Sequence, residues 1–137
     1  MNSAAVDTVI TGARYVLTCD DAGSVHEGAG LAVRDGRIVA VGDVDSFDAR
    51  RRIDATDCLV LPGLINLHTH LPMTLLRGVA ENVDLQGFLE RVWAEEARIM
   101  GPEGTYLGAR RGSLEALLGG TTTALDMYFH PESAHRG

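Results

Sequence analysis

The sequence has 137 residues, 45% of them hydrophobic and 23% charged, with 12 basic and 19 acidic side chains giving a net charge of −7. That composition is ordinary for a folded chain and argues against a disordered segment or a nucleic-acid partner, whose binding rests on clustered Lys and Arg. No apolar run approaches the ~20 residues needed to span a bilayer and the chain has no basic-then-apolar opening, so a cytoplasmic protein with no membrane partner is expected.

Residues 1–61 read as a β-rich portion. Thr8 to Thr18 is rich in β-branched and aromatic residues, with Gly12 as a break. Leu31–Arg34, Asp35-Gly36 and Arg37–Gly42 form a hairpin signal, because Asp-Gly suits the two positive-φ positions of a type I′ turn. The basic run Arg50-Arg51-Arg52, between Asp48 and Asp54, reads as a solvated loop. Short strands follow at Ile53–Ala55 and Cys58–Leu61, and this many strands in so few residues suggest a small β-sandwich or half of one. Cys19 and Cys58 lie far apart with no C-x-x-C pair, which predicts free thiols.

The pattern changes at Pro62-Gly63, and residues 62–137 read as the start of an α/β domain. Leu64–His68 is a short apolar run of the kind found in a strand buried on both faces of a parallel sheet. Leu85, Phe88, Leu89, Val92 and Trp93 recur at helical spacing behind Asp84, a candidate N-cap. A looser stripe of Tyr106, Leu107, Leu114, Leu117 and Leu118 ends at Gly119-Gly120, a helix stop. Thr121–Tyr128 returns to a strand, completing a βαβ pattern.

The chemistry is concentrated in Pro62-Gly63-Leu64-Ile65-Asn66-Leu67-His68-Thr69-His70. Side chains alternate along a strand, so His68 and His70 point the same way and can share one cation. Neutral imidazole suits zinc, iron or nickel. The carboxyl end of a parallel strand is also where barrel enzymes place their sites. The tripeptide His-Thr-His is common in exposed loops. Its place after an apolar strand and a Pro-Gly hinge is what favours metal binding.

This stretch, continued as L-P-M-T-L-L-R-G, resembles the first barrel strand and following loop of the amidohydrolase superfamily. The branch it is most similar to holds the 5′-methylthioadenosine and S-adenosylhomocysteine deaminases and the s-triazine chlorohydrolases. The likeness continues through Gly78–Glu81, Trp93–Ala97 and Gly119–His130. The resemblance implies an α/β fold: the first two βα units of an eight-stranded TIM-like (β/α)8 barrel, preceded by a small β-sandwich portion. It also implies one divalent metal, zinc foremost and iron or nickel otherwise, with His68 and His70 as ligands and the remaining histidines, glutamate and aspartate on later strands.

Enzymes of this branch often carry W-P-x-E, whose glutamate binds ribose hydroxyls. Here the run is Trp93-Ala94-Glu95-Glu96, which places Glu96 in position without the proline. The alternative for Glu96 is an exposed helix residue paired with Arg98. His130 could line the mouth of the site; His26 and His135 read as solvated loop residues. Arg77 either orients the loop after the histidines or is a surface residue, and Asp126 reads as a structural hydrogen-bonding group.

The function implied is hydrolytic deamination of an adenine-type nucleoside, a small purine-type substrate. The alternatives are a guanine or oxopurine deaminase or a triazine chlorohydrolase on the same scaffold. About seventy-five residues follow Pro62, against ~250 for a complete barrel. The expectation is therefore of an amino-terminal piece without catalytic residues of its own. It would be an inert fragment, or would work with the remainder of the barrel from the same or another chain, with a homo-oligomer possible.

Overall fold

A computed structural model describes residues 5–136, which divide into two compact units with the boundary at Pro62. The first unit is a five-stranded mixed sheet. Its strands are β1 (Val6–Leu17), β2 (Val25–Arg34), β3 (Arg37–Gly42), β4 (Ala49–Asp54) and β5 (Leu59–Val60). The order is β3-β2-β1-β4, with β5 also on β1. β1 runs antiparallel to β2 and parallel to both β4 and β5. It changes neighbour along its length: Val6–Thr11 pairs with β4, and Tyr15-Val16 pairs with β5. The register slips between Ile10 and Ala13, where Gly12 sits at φ +70°, a bulge conformation that glycine adopts without strain.

The expected hairpin forms, with Asp35 at φ +50° and Gly36 at φ +69° between β2 and β3. Leu31 and Ala32 are successive buried residues on opposite faces of β2, and each face has its own core. Ala13, Val16, Ala29, Leu31 and Ala55 pack on one side. Val6, Val9, Ala32 and Val44 pack on the other. Three expectations for this unit need correction. β2 starts at Val25 rather than Leu31, because Val25–Ala29 pairs with Leu17–Ala13. His26 therefore lies in a strand, opposite Val16, not in a loop. Arg50–Arg52 also lies in a strand, β4, although all three side chains stay exposed. Cys19 and Cys58 are free and exposed.

The second unit is mixed α/β. β6 (Leu64–Thr69) leads into a 3₁₀ helix (Leu71–Leu76), then α1 (Leu85–Ile99), α2 (Pro102–Leu118), β7 (Thr121–Asp126) and a one-turn α3 (Pro131–Ala134). β6 and β7 pair in parallel. Asp84 caps α1 by accepting from Gly87 N at 2.9 Å. α2 begins before its apolar stripe because Pro102 occupies its first turn, and it ends at Gly119 as expected. Among the described residues no helix is long and apolar enough to cross a membrane.

β6 departs most from its sequence. It is not buried on both faces: Ile65 is 64% and Leu67 72% exposed, and β7 exposes Leu125. The physical reason is that β7 is its only strand partner among the described residues and no layer covers the pair. β7 also ends at Asp126, so Met127 and Tyr128 leave the strand and turn toward α1.

The tightest packing in this unit is between α2 and the 3₁₀ helix. Gly108 and Gly112, one turn apart, let α2 rest directly on backbone. A Cβ at Gly108 would lie 2.8 Å from Pro72 Cα, and one at Gly112 would lie 2.5 Å from Leu71 O. Thr74 Oγ1 donates to Leu71 O at 3.1 Å or to Gly108 O at 3.2 Å, adding a polar stitch. Gly108→Ala should therefore destabilise the unit. Overpacking against backbone costs toward the upper end of ~1–3 kcal/mol, more than the ~1 kcal/mol alanine gains as a helix former. A fall in the urea midpoint checks this.

An exposed ion cluster joins the same elements. Glu115 accepts from Arg77 at 2.7 Å and from Arg111 at 3.0 Å. Hydrogen bonding to Arg77, then Arg111, holds its carboxyl below the ordinary value of 4.5. The folded value is depressed, so this contribution is present above pH 4.5 and is lost as pH falls through the lowered value. Being exposed, it is small. Glu115→Gln should flatten that part of the acid limb of stability, measured by urea unfolding between pH 6 and pH 3.

Candidate metal centre and adjoining cavity

The site grows from the carboxyl ends of β6 and β7. The last register pair of the two strands is Thr69 with Asp126. Beyond it Met127 N donates to Thr69 O at 3.1 Å. This places the Met127 carbonyl beside His70, whose Nδ1 donates to it at 2.5 Å. The next backbone donor, Leu71 N, is received by Asp126 Oδ1 at 2.7 Å. Three consecutive residues, Thr69, His70 and Leu71, are thus held by two consecutive residues of the other segment, Asp126 and Met127.

The consequence for His70 is chemical. With Nδ1 carrying its proton toward a carbonyl, the tautomer leaves Nε2 unprotonated and available to a cation. His68 lies next to it, ring centroids 5.3 Å apart and nearly perpendicular. The two imidazoles the sequence pairs are indeed together, and the donor set suits a divalent transition metal. Among the described residues no group of three or more His, Cys, Asp and Glu gathers that could hold an ion. His68 and His70 are therefore two neighbouring donors without a third beside them among the described residues.

A cavity of about 440 Å³ adjoins His70, walled by Met73, Phe88, Val92, Trp93, Met127 and Phe129, with Glu96 and Tyr128 as polar members. Trp93 and Glu96 are thus brought to the same cavity as His70. Glu96 is not paired with Arg98, which instead binds Glu95 at 2.6 Å. Its partner is Tyr128, whose hydroxyl donates to Glu96 Oε1 at 2.6 Å. Burial, then the hydrogen bond and charge of Glu96, push the Tyr128 hydroxyl well above the usual tyrosine value, so it remains a donor across the neutral range.

His130 does not line that cavity. It borders a larger, more open one with Trp93, Glu96 and Tyr128, and its Nδ1 is 3.8 Å from Glu132 Oε1. His135 is exposed at the end of α3, and His26 belongs to the other unit. Arg77 reaches Glu115 rather than the histidines. Asp126 has the hydrogen-bonding role expected of it.

Sequence reasoning missed two contributors. The Met127 carbonyl is a backbone group and leaves no residue-type signal. Tyr128 did leave one: it shares strand parity with Asp126, two residues before it, and so was a candidate for the same face. Asp126→Ala should cost about 1–3 kcal/mol by orphaning the partly buried Leu71 N–H, whereas Asp126→Asn, which keeps an acceptor oxygen, should cost less. Urea midpoints of the two variants compare them.

Residues 59–136 match the amidohydrolase family. The chain is 37% identical over 131 residues to the 5-methylthioadenosine/S-adenosylhomocysteine deaminase of Saccharophagus degradans, covering 92% of this chain and 29% of that protein. It superposes with a TM-score of 0.87 and 37% identity on a crystal structure of an adenosine deaminase from Xanthomonas campestris with bound zinc. That match covers 95% of this chain and 30% of the other. It superposes with a TM-score of 0.84 and 32% identity on a mutant atrazine chlorohydrolase from Arthrobacter aurescens complexed with zinc and atraton, covering 93% and 32%. The chain therefore spans about three tenths of the length of these relatives. With more than half of its residues inside the family match, the chain belongs to the amidohydrolase family.

Proposed function

We propose that this chain supplies two metal ligands, His68 and His70, and one wall of the substrate site of a zinc-dependent amidohydrolase that deaminates an adenine-type nucleoside of the 5′-methylthioadenosine or S-adenosylhomocysteine class. The observation that carries it is the coupling of His70 Nδ1 to the Met127 carbonyl, which leaves Nε2 free on a ring that lines an apolar cavity and whose centroid is 5.3 Å from that of His68. The β6–helix–β7 unit is read as the opening of a (β/α)8 barrel and residues 1–61 as part of its small β-sandwich. The parallel pairing of β6 with β7 and the superposition on the zinc-bound deaminase support this. Further ligands, absent among the described residues, would come from later barrel strands of the same or another polypeptide. Zinc is preferred to iron or nickel because both similar structures described above contain it.

A divalent ion held there supplies Lewis acidity and makes water acidic enough to yield a nucleophile near neutral pH. The residues of this chain do the rest of what it contributes. Met127 holds His70 in one tautomer. The aromatic and thioether wall formed by Met73, Phe88, Trp93 and Phe129 takes a flat heterocycle out of water. Glu96 offers carboxylate lone pairs to the ribose hydroxyls. The overall change is addition of water at the amine-bearing ring carbon and loss of ammonia, leaving the oxopurine.

A triazine chlorohydrolase is the second reading, favoured by the 0.84 superposition on such an enzyme. The apolar wall would accept either ring, but a triazine has no vicinal diol to engage both oxygens of Glu96. Supplying the zinc-loaded barrel, this chain together with the later strands that complete its ligand set, with 5′-methylthioadenosine, S-adenosylhomocysteine, guanine and atrazine separates the readings. Ammonia from the adenine nucleosides, with no chloride from atrazine, is expected. Chloride from atrazine without nucleoside deamination would replace the first reading by the second.

A further inference from the structure

Glu96 sits on a helix with few anchors. α1 buries one residue fully, Val92, and its Trp93 is 58% exposed. A carboxylate on such a helix has several rotamers open to it, and holding one of them costs side-chain entropy. The carboxylate is nevertheless tied by a short, charge-assisted hydrogen bond to a residue 32 positions away, at the end of β7. The Tyr128 ring that makes this bond is itself fixed by its surroundings. Its centroid is 6.3 Å from that of His70 and 5.4 Å from that of Phe129. The residue before it is held by Thr69 and His70.

The geometry points to Tyr128 as the positioning residue for Glu96: its hydroxyl fixes the carboxylate at a set distance from the metal histidines, so that a ribose diol is recognised in register with the reacting ring. The inference rests on the nucleoside reading above and assigns Tyr128 a role within it. Tyr128 occupies one lone pair of Oε1, leaving Oε2 and the second Oε1 lone pair to receive the two hydroxyls of a vicinal diol. Met127 orients His70 and Tyr128 orients Glu96, so two adjacent residues of one segment set both ends of the bound nucleoside. The alternative is that the bond merely tethers α1. A tether would be indifferent to whether the ligand carries a diol.

The test is calorimetric binding of inosine and 2′,3′-dideoxyinosine, which have no amine to lose, to the metal-loaded protein and its Glu96→Gln, Tyr128→Phe and doubly substituted variants. Two hydroxyls on a carboxylate, at roughly tenfold each, predict an approximately hundredfold preference for inosine in the parent. Glu96→Gln should erase most of it. Tyr128→Phe should reduce it about tenfold while leaving dideoxyinosine affinity within about twofold, and the double variant should be no worse than Glu96→Gln alone. Equal weakening of both ligands by Tyr128→Phe, or an unchanged preference, overturns the positioning role. If Glu96→Gln abolishes the preference and Tyr128→Phe does not, only the role of Tyr128 fails. If Glu96→Gln leaves the preference intact, or if inosine does not bind, the nucleoside reading falls and takes this one with it.

Discussion

The hydrogen bond from His70 Nδ1 to the Met127 carbonyl is the contact on which the site depends. It exists only if β7 lies parallel to β6 in a register that carries Met127 one step past Thr69. That register in turn requires the helical connection to return to the right place, and its tightest anchor is the backbone contact of Gly108 and Gly112 with Pro72 and Leu71. A clash at either glycine would move the 3₁₀ helix that starts immediately after His70. The packing of α2 on the 3₁₀ helix and the tautomer of one imidazole are thus parts of the same constraint.

The sheet itself is unusual for what it carries. In β6, Leu64 and Ile65 point to opposite faces, yet both are exposed, as is Leu67. Leu114, Leu117 and Leu118 of α2 are exposed as well. Apolar surface gathered on one strand pair and a neighbouring helix has the character of a packing surface. The barrel reading supplies that cover on both faces. Covering these faces would exclude water from around His68, where a low dielectric strengthens electrostatic interactions.

Much of the architecture could be read from residue types because the signals were local. Asp35-Gly36 specified its hairpin through two positive φ angles, Asp84 capped α1, and Gly119 ended α2. Strand parity pairs the two histidines, and their rings do lie 5.3 Å apart, although β6 is irregular between Asn66 and Thr69 and His70 lies just beyond the strand. What escaped depended on tertiary pairing. Val25–Ala29, with Glu27 and Gly28 side by side, gives no alternating pattern of its own, and is a strand because β1 pairs with it. Arg50–Arg52 looks like a loop by charge but is held in β4 by the edge of β1. The burial of β6 was inferred from its apolar run, and burial is a property of neighbours, not of the run. Likeness to a motif singles out Glu96, and strand parity hints at Tyr128, but their hydrogen bond depends on how α1 and the segment after β7 lie in space.

Zinc K-edge X-ray absorption on the zinc-loaded protein reports directly whether His68 and His70 are metal ligands. A nitrogen shell at ~2.0–2.1 Å with the outer scattering of imidazole is expected. That imidazole signal should fall by two histidines, with loss of most of the zinc, in the His68→Ala/His70→Ala variant. Stoichiometric zinc with an unchanged imidazole contribution in that variant would contradict their role as ligands.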